Sequence, residues 1–138
     1  MPWQYSNGGS RGYGEPRRER RKNSWYLLRW LRAQNDLPWL CAGDFNEVLA
    51  AEEHFGNNER EAWQMAGFQQ AVADCGLSDL GYTGLPYTWD NRQEGDRNVK
   101  VRLDRGLGDQ KFMDVLSETS VKHVPLTHSD HSALLIEV

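Results

Sequence analysis

The sequence is short of the features that mark several protein classes. It has only two cysteines, Cys41 and Cys75, both in apolar surroundings and neither at zinc-ligand spacing, which argues against a disulfide framework or a structural zinc site. It contains no apolar run of the length a membrane span requires, and its start lacks the charged-then-apolar order of a signal peptide. Membrane insertion and secretion are therefore not expected, and the chain reads as intracellular. An excess of positive charge is also missing. Sixteen Lys and Arg stand against twenty Asp and Glu, for a formal charge of −4, so no overall cationic field advertises a nucleic-acid binder. That balance does not exclude one, because a carboxylate cluster built to hold a cation lowers net charge while local basic residues meet phosphate. No internal repeat is present, and 138 residues suit a single domain with a real core.

What is there falls into two halves. Residues 1–12 are rich in Gly, Ser and Asn and predict an irregular segment, with regular structure starting near Pro16. From Pro16 to about Asn35 the spacing predicts an amphipathic helix, with Leu27, Leu28, Leu31 and Trp25 or Trp30 on one side. The run from Leu37 to Phe45 predicts a buried strand that delivers Asp44 at its end. A second helix is predicted over Glu61 to Cys75, with Met65, Phe68, Val72 and Cys75 inward and Gly76 as its stop. Later segments alternate. Tyr87–Asn91 and Val99–Arg105 predict two strands around a polar loop, with Val99, Val101 and Leu103 on one face and Asp104 on the polar one. A short helix near Asp109, an extended segment near Val121 and a last buried strand after Ser132 complete an α/β layered domain.

Three polar clusters sit at predicted strand ends: Gly43-Asp44-Phe45-Asn46, Arg102-Leu103-Asp104 and Ser129-Asp130-His131. Phosphodiester hydrolysis needs a cation to neutralise phosphoryl oxygens, a base to activate water and neutral donors for developing charge. Asp, His and Asn are suited to those tasks. Each cluster also has a plain structural reading, as an Asx turn, an ion pair and a cap before a strand.

Their order is more specific than any one of them. GDFNE, then YTWDN, then RLDR, then SDHSALL resembles the C-terminal half of the endonuclease/exonuclease/phosphatase superfamily, most closely the endonuclease domains of plant LINE-type, non-LTR retrotransposons. The resemblance runs from Tyr13 to Leu135. It implies an α/β sandwich of two sheets, here N-terminally truncated, over residues 13–138. It further implies cleavage of phosphodiester bonds in DNA with Mg²⁺ or Mn²⁺. By the same resemblance Asp44 orients or deprotonates the attacking water and Asn46 hydrogen-bonds the phosphate. His131 is the catalytic histidine, Asp104 fixes its tautomer, and Asp130 lies near the metal. Tyr13, Thr88, Trp89 and Asn91 are the implied DNA contacts, although a strand tryptophan is as often a core residue.

The superfamily's metal-binding glutamate lies before the tyrosine segment, and residues 1–12 contain no Glu. Weak metal binding is expected, and little activity from this chain alone. A truncated sandwich is also expected to leave a sheet face open to association. DNA is thus the expected partner, with the nucleus as the location. Two other readings remain: a non-catalytic remnant that binds DNA or protein, and a phosphatase of the same superfamily. The run Arg17–Lys22 could steer DNA or act as a nuclear signal, or be a solvated helix face.

Overall fold

A computed structural model describes residues 3–5 and 16–138. The elements are β1 (Trp3–Tyr5), α1 (Pro16–Gln34), β2 (Leu40–Asp44), β3 (His54–Phe55), α2 (Ala62–Asp74), β4 (Leu77–Asp79) and β5 (Trp89–Asp90), followed by β6 (Lys100–Val101), β7 (Asp104–Asp109), α3 (Gln110–Val115), β8 (Ser120–Val124) and β9 (Ala133–Glu137). The fold is mixed helix and sheet, as the mixed helix and strand signals predict. The main sheet has the order β1-β2-β7-β4, beside a three-stranded sheet β3-β6-β5 and a two-stranded sheet β8-β9. Within the main sheet β2 and β4 run antiparallel to β7, and β1 runs parallel to β2. β1 corrects the expectation of an irregular segment over residues 1–12. Trp3–Tyr5 pairs with Leu40–Ala42, because an edge strand leaves backbone groups that a neighbouring aromatic segment can satisfy.

Alternation along β7 builds two layers. Arg105, Leu107 and Asp109 face the helices: Leu107 joins the buried cluster, Arg105 lies 5.5 Å over the Phe68 ring, and Asp109 takes a 2.9 Å bond from Arg32 of α1. Trp25, Leu28, Cys41, Phe68, Val72 and Leu77 fill this core, with Trp25 stacked on Phe68 at 4.7 Å. Gly106 faces the other way, where a Cβ would come within 3.2 Å of Val121. Glycine here lets the β8-β9 sheet sit close against the strand that carries the site.

The helices fall close to expectation and their faces less so. Among the described side chains of α1 the buried ones are Trp25 and Leu28, while Leu27 and Trp30 are exposed, so the apolar stripe is narrower than predicted. α2 is capped by Glu61 and Cys75, and Gly76 adopts φ +65° just beyond it. Met65 turns to a second cluster with Val48, Val101 and Leu103.

Two strand predictions need correction. Val99–Arg105 is not one strand: β6 ends at Val101 in the small sheet, and β7 begins at Asp104 in the main one. Between them the backbone N–H of Arg102 donates to Glu53 O at 2.8 Å, and those of Leu103 and Asp104 donate to Thr88 Oγ1. These bonds draw the chain from one sheet to the other. β9 is not fully buried either, since it pairs only with β8 and leaves Leu135 46% exposed. Among the described residues helices cover one side of the main sheet, and Leu80, Val121 and Ile136 approach Gly106 and Gly108 on the other. Both cysteines are buried free thiols, and burial pushes Cys41 up to about 12. Among the described residues no helix is long and apolar enough to cross a membrane.

Candidate functional site

Three strand ends meet beside the β8-β9 layer. Asp44 closes β2 and Asp104 opens β7, and the antiparallel pairing sets them directly opposite each other on one face. His131 arrives on the loop before β9. That loop is tied down by Asp90 N–H donating to Asp130 O at 3.0 Å and Ser132 N–H donating to Thr88 O at 2.7 Å. The imidazole Nδ1 lies 2.9 Å from Asp104 Oδ2, and Nε2 lies 3.8 Å from Asp44 Oδ2. One ligand atom from each of the three residues falls within 4.8 Å of the others. Asp44 and Asp104 are buried and His131 is partly exposed, so the ring forms the solvent side of the trio.

The Asp104 contact assigns the histidine's protons. A carboxylate only accepts, so Nδ1 carries a hydrogen and Nε2 is the nitrogen that can take or return a proton. That bond to Asp104 raises the His131 pKa above its ordinary 6.5, against the opposing effect of burial. Asp44 is pushed up to about 6, first by burial and then by the Asp104 charge. Both groups therefore bind protons more readily in the fold than in the unfolded chain. Stability from His131 is full below pH 6.5 and fades as pH rises through its raised value. The cost of ionising buried Asp44 grows from pH 3.8 to about 6 and stays above that. Without added metal, melting temperature is expected to fall between pH 5 and pH 8, and Asp44→Asn is expected to flatten that slope in scanning calorimetry. A slope unchanged by the substitution would count against this assignment.

Other predicted site residues have different surroundings. Thr88 is 1% exposed, and its hydroxyl accepts the N–H groups of Leu103 at 2.9 Å and Asp104 at 3.0 Å. This corrects its predicted DNA contact: Thr88 is a buried support for the strand start that presents Asp104. Thr88→Val leaves both N–H groups without that partner and is expected to cost about 1–3 kcal/mol, readable by urea titration. Asn91 Oδ1 accepts the N–H groups of Gln93 at 3.1 Å and Val99 at 2.9 Å, so it shapes the β5-β6 hairpin rather than standing clear for DNA. Asn46 has φ +54°, and its N–H donates to Asp44 Oδ1 at 2.8 Å. The Gly-Asp-Phe-Asn segment is thus an Asx turn that also delivers Asp44.

Asp130 stands outside the trio, its Oδ2 accepting from Trp89 Nε1 at 3.3 Å. Trp89 packs on the Val48–Val101–Leu103 cluster and lines a cleft of about 340 Å³ with Tyr87, Arg92, Lys100, Asp130 and His131. Arg92 donates to Ser129 O and pins the histidine loop, a role that sequence patterning did not show. Tyr13 lies outside the described residues.

Mg²⁺ takes oxygen ligands and commonly uses one or two protein carboxylates, the rest coming from water and phosphate. Asp44 and Asp104 meet that minimum. Among the described residues no glutamate joins them. Glu47 is bound to Arg21 at 2.9 Å, and Glu53 to Arg105 at 2.7 Å and Arg102 at 3.0 Å. Compared with known proteins, the chain matches no protein-family model and no curated protein.

Proposed function

We propose that the trio hydrolyses phosphodiester bonds in DNA, as part of a divalent-metal-dependent endonuclease with the sandwich fold of the endonuclease/exonuclease/phosphatase type. The observation that carries this reading is the 2.9 Å contact between Asp104 and His131 Nδ1, which leaves Nε2 facing Asp44 at the edge of an open cleft. Asp104 holds the ring in one tautomer and stabilises the imidazolium that forms when Nε2 takes a proton. Asp44, poised near pH 6, is suited to orient or deprotonate a water at the working pH. Arg92 and Lys100 line the cleft and supply positive charge for a backbone phosphate, and Trp89 supplies an aromatic edge.

Asp44 and Asp104 would hold the Mg²⁺ or Mn²⁺, which neutralises phosphoryl charge when bound. With two carboxylates and no glutamate the binding is expected to be weak, and turnover by this chain alone to be low. That arrangement favours a second reading, a remnant that binds DNA or protein without cutting, with exposed Leu135 and Val138 on the β9 segment as a surface for association. Nicking of supercoiled plasmid by purified protein, in Mg²⁺ or Mn²⁺ and in chelator, tests the first reading. Metal-dependent nicking supports it. A folded sample that shifts DNA in a gel and never nicks it overturns catalysis for this chain in favour of the second.

A further inference from the structure

One wall of the cleft beside His131 is made by Leu85, Pro86 and Tyr87. Residues 82–86 are exposed, Leu85 to 60%, so packing alone does not hold this wall. Its two ends are fixed by backbone bonds. Thr83 N–H donates to Val121 O at 2.8 Å, and Thr88 N–H donates to Val101 O at 3.0 Å while Thr88 O accepts from Ser132. Between those anchors Leu85, Pro86 and Tyr87 make one hydrogen bond with the rest of the described chain: Leu85 O lies 2.6 Å from Nδ1 of His123 on β8.

His123 is built into that position. It is 1% exposed, its ring stacks on Tyr82 at 4.5 Å, and Arg102 lies 4.6 Å over the Tyr82 ring. Its backbone N–H donates to Thr83 O at 2.9 Å, and Gly84, at φ +96°, passes so close that a Cβ would stand 2.8 Å from His123 O. A carbonyl only accepts, so Nδ1 carries the hydrogen, and Nε2 is a bare buried acceptor with no partner among the described residues. Burial, aided by the Arg102 and Arg105 charges, holds the ring below its ordinary 6.5 and so keeps it neutral at neutral pH. An unmet buried acceptor costs stability, and a leucine would fill the same space without one. What histidine adds is the donor to Leu85.

We infer that His123 is a positioning residue for the substrate strand: by latching Leu85 it sets the Leu85–Tyr87 wall in place before DNA arrives, so that binding does not have to order it. The inference rests on the endonuclease reading for the identity of the strand. The latch acts on binding rather than on turnover. Asp104 and the His131 loop are held through Thr88, which accepts from Leu103, Asp104 and Ser132 by bonds that do not involve His123.

Fluorescence anisotropy of a DNA duplex titrated with the full chain in chelator, beside nicking kinetics in Mn²⁺, tests the latch. His123→Leu is expected to weaken DNA binding and raise KM about tenfold, the cost of ordering one freed backbone residue on binding, with kcat held within about twofold. Gly84→Ala, which drives the loop off His123 and keeps the ring, is expected to do the same, and it carries the test if His123→Leu fails to fold. His123→Asn, whose amide can donate from the place of Nδ1, is expected to recover most of the loss. Wild-type binding by the folded variants, a kcat loss as large as the KM change, or no recovery in His123→Asn would each overturn the assignment. Nitrogen-15 NMR reads the latch without DNA: His123 is expected as the neutral Nδ1–H tautomer, and a ring protonated at Nε2 instead overturns it. A wild type that neither binds nor nicks DNA sinks the endonuclease reading and the strand with it, and the tautomer then decides the latch alone.

Discussion

His131→Ala is expected to lower metal-dependent nicking by about 10²–10⁴-fold, the usual contribution of a positioned acid or base. The size follows from geometry. Of the three residues His131 alone lines the cleft, and it has no neighbouring histidine to take over within the trio. Asp104→Asn is expected to act through the ring. An amide can present its NH₂ to Nδ1, which would move the imidazole hydrogen to Nε2 and remove the carboxylate that raises the His131 pKa. Its signature is a pH–rate profile displaced to lower pH, together with a lower His131 pKa by NMR titration. A loss of rate with an unmoved His131 pKa would mean that Asp104 serves another purpose. Equal nicking by wild type and His131→Ala would remove the histidine from the mechanism.

Arg105→Ala is expected to destabilise the fold by about 3–5 kcal/mol, the cost of stripping one partner from a buried ion pair. Arg105 is completely buried, with 2.7 Å and 3.2 Å contacts to Glu53 and Asp79, and Arg102 shares both carboxylates at 3.0 Å and 2.6 Å. Removing one arginine leaves two acids in a poorly solvated place with half their compensation. Burial pushes Glu53 and Asp79 up, but the hydrogen bonds and charges of Arg105 and Arg102, with backbone N–H groups, together outweigh it, so both are held below their ordinary values. Their contribution to stability is present above the ordinary carboxylate range and is lost as pH falls through their lowered values. The Arg105→Ala deficit should therefore shrink in strong acid, where both carboxyls are neutral. Urea unfolding at neutral and acid pH checks both statements, and a deficit under 1 kcal/mol at neutral pH would show that water reaches the network.

The trio was legible because each member sits where an apolar run stops. Asp44 after Leu40–Ala42 and His131 before Ala133–Glu137 are marked by a change in pattern that a reader can see. Asp104 was placed on the right polar side, and its cross-strand neighbour could not be known, since pairing between distant segments leaves no local trace. Thr88 was misread for the same reason: a threonine in a strand looks alike whether its hydroxyl meets water or two backbone N–H groups fifteen residues on. The buried arginines were hidden by their own alternation with apolar residues. Arg102 read as the wet side of a strand, and only the acids from Glu53 and Asp79 make the burial of Arg102 and Arg105 affordable. β3 and β4 went unseen because two or three residues give no period to detect.

The facing of Asp44 and Asp104 depends on β2 and β7 aligning at a single setting. A slip by one residue would bring Gly43 or Phe45 opposite Asp104 and turn the Asp44 carboxylate toward α2. No intermediate displacement keeps both acids on the histidine side. The site is consequently digital with respect to its sheet: it exists complete or not at all, and damage to the β2-β7 ladder far from His131 takes the trio apart in one step.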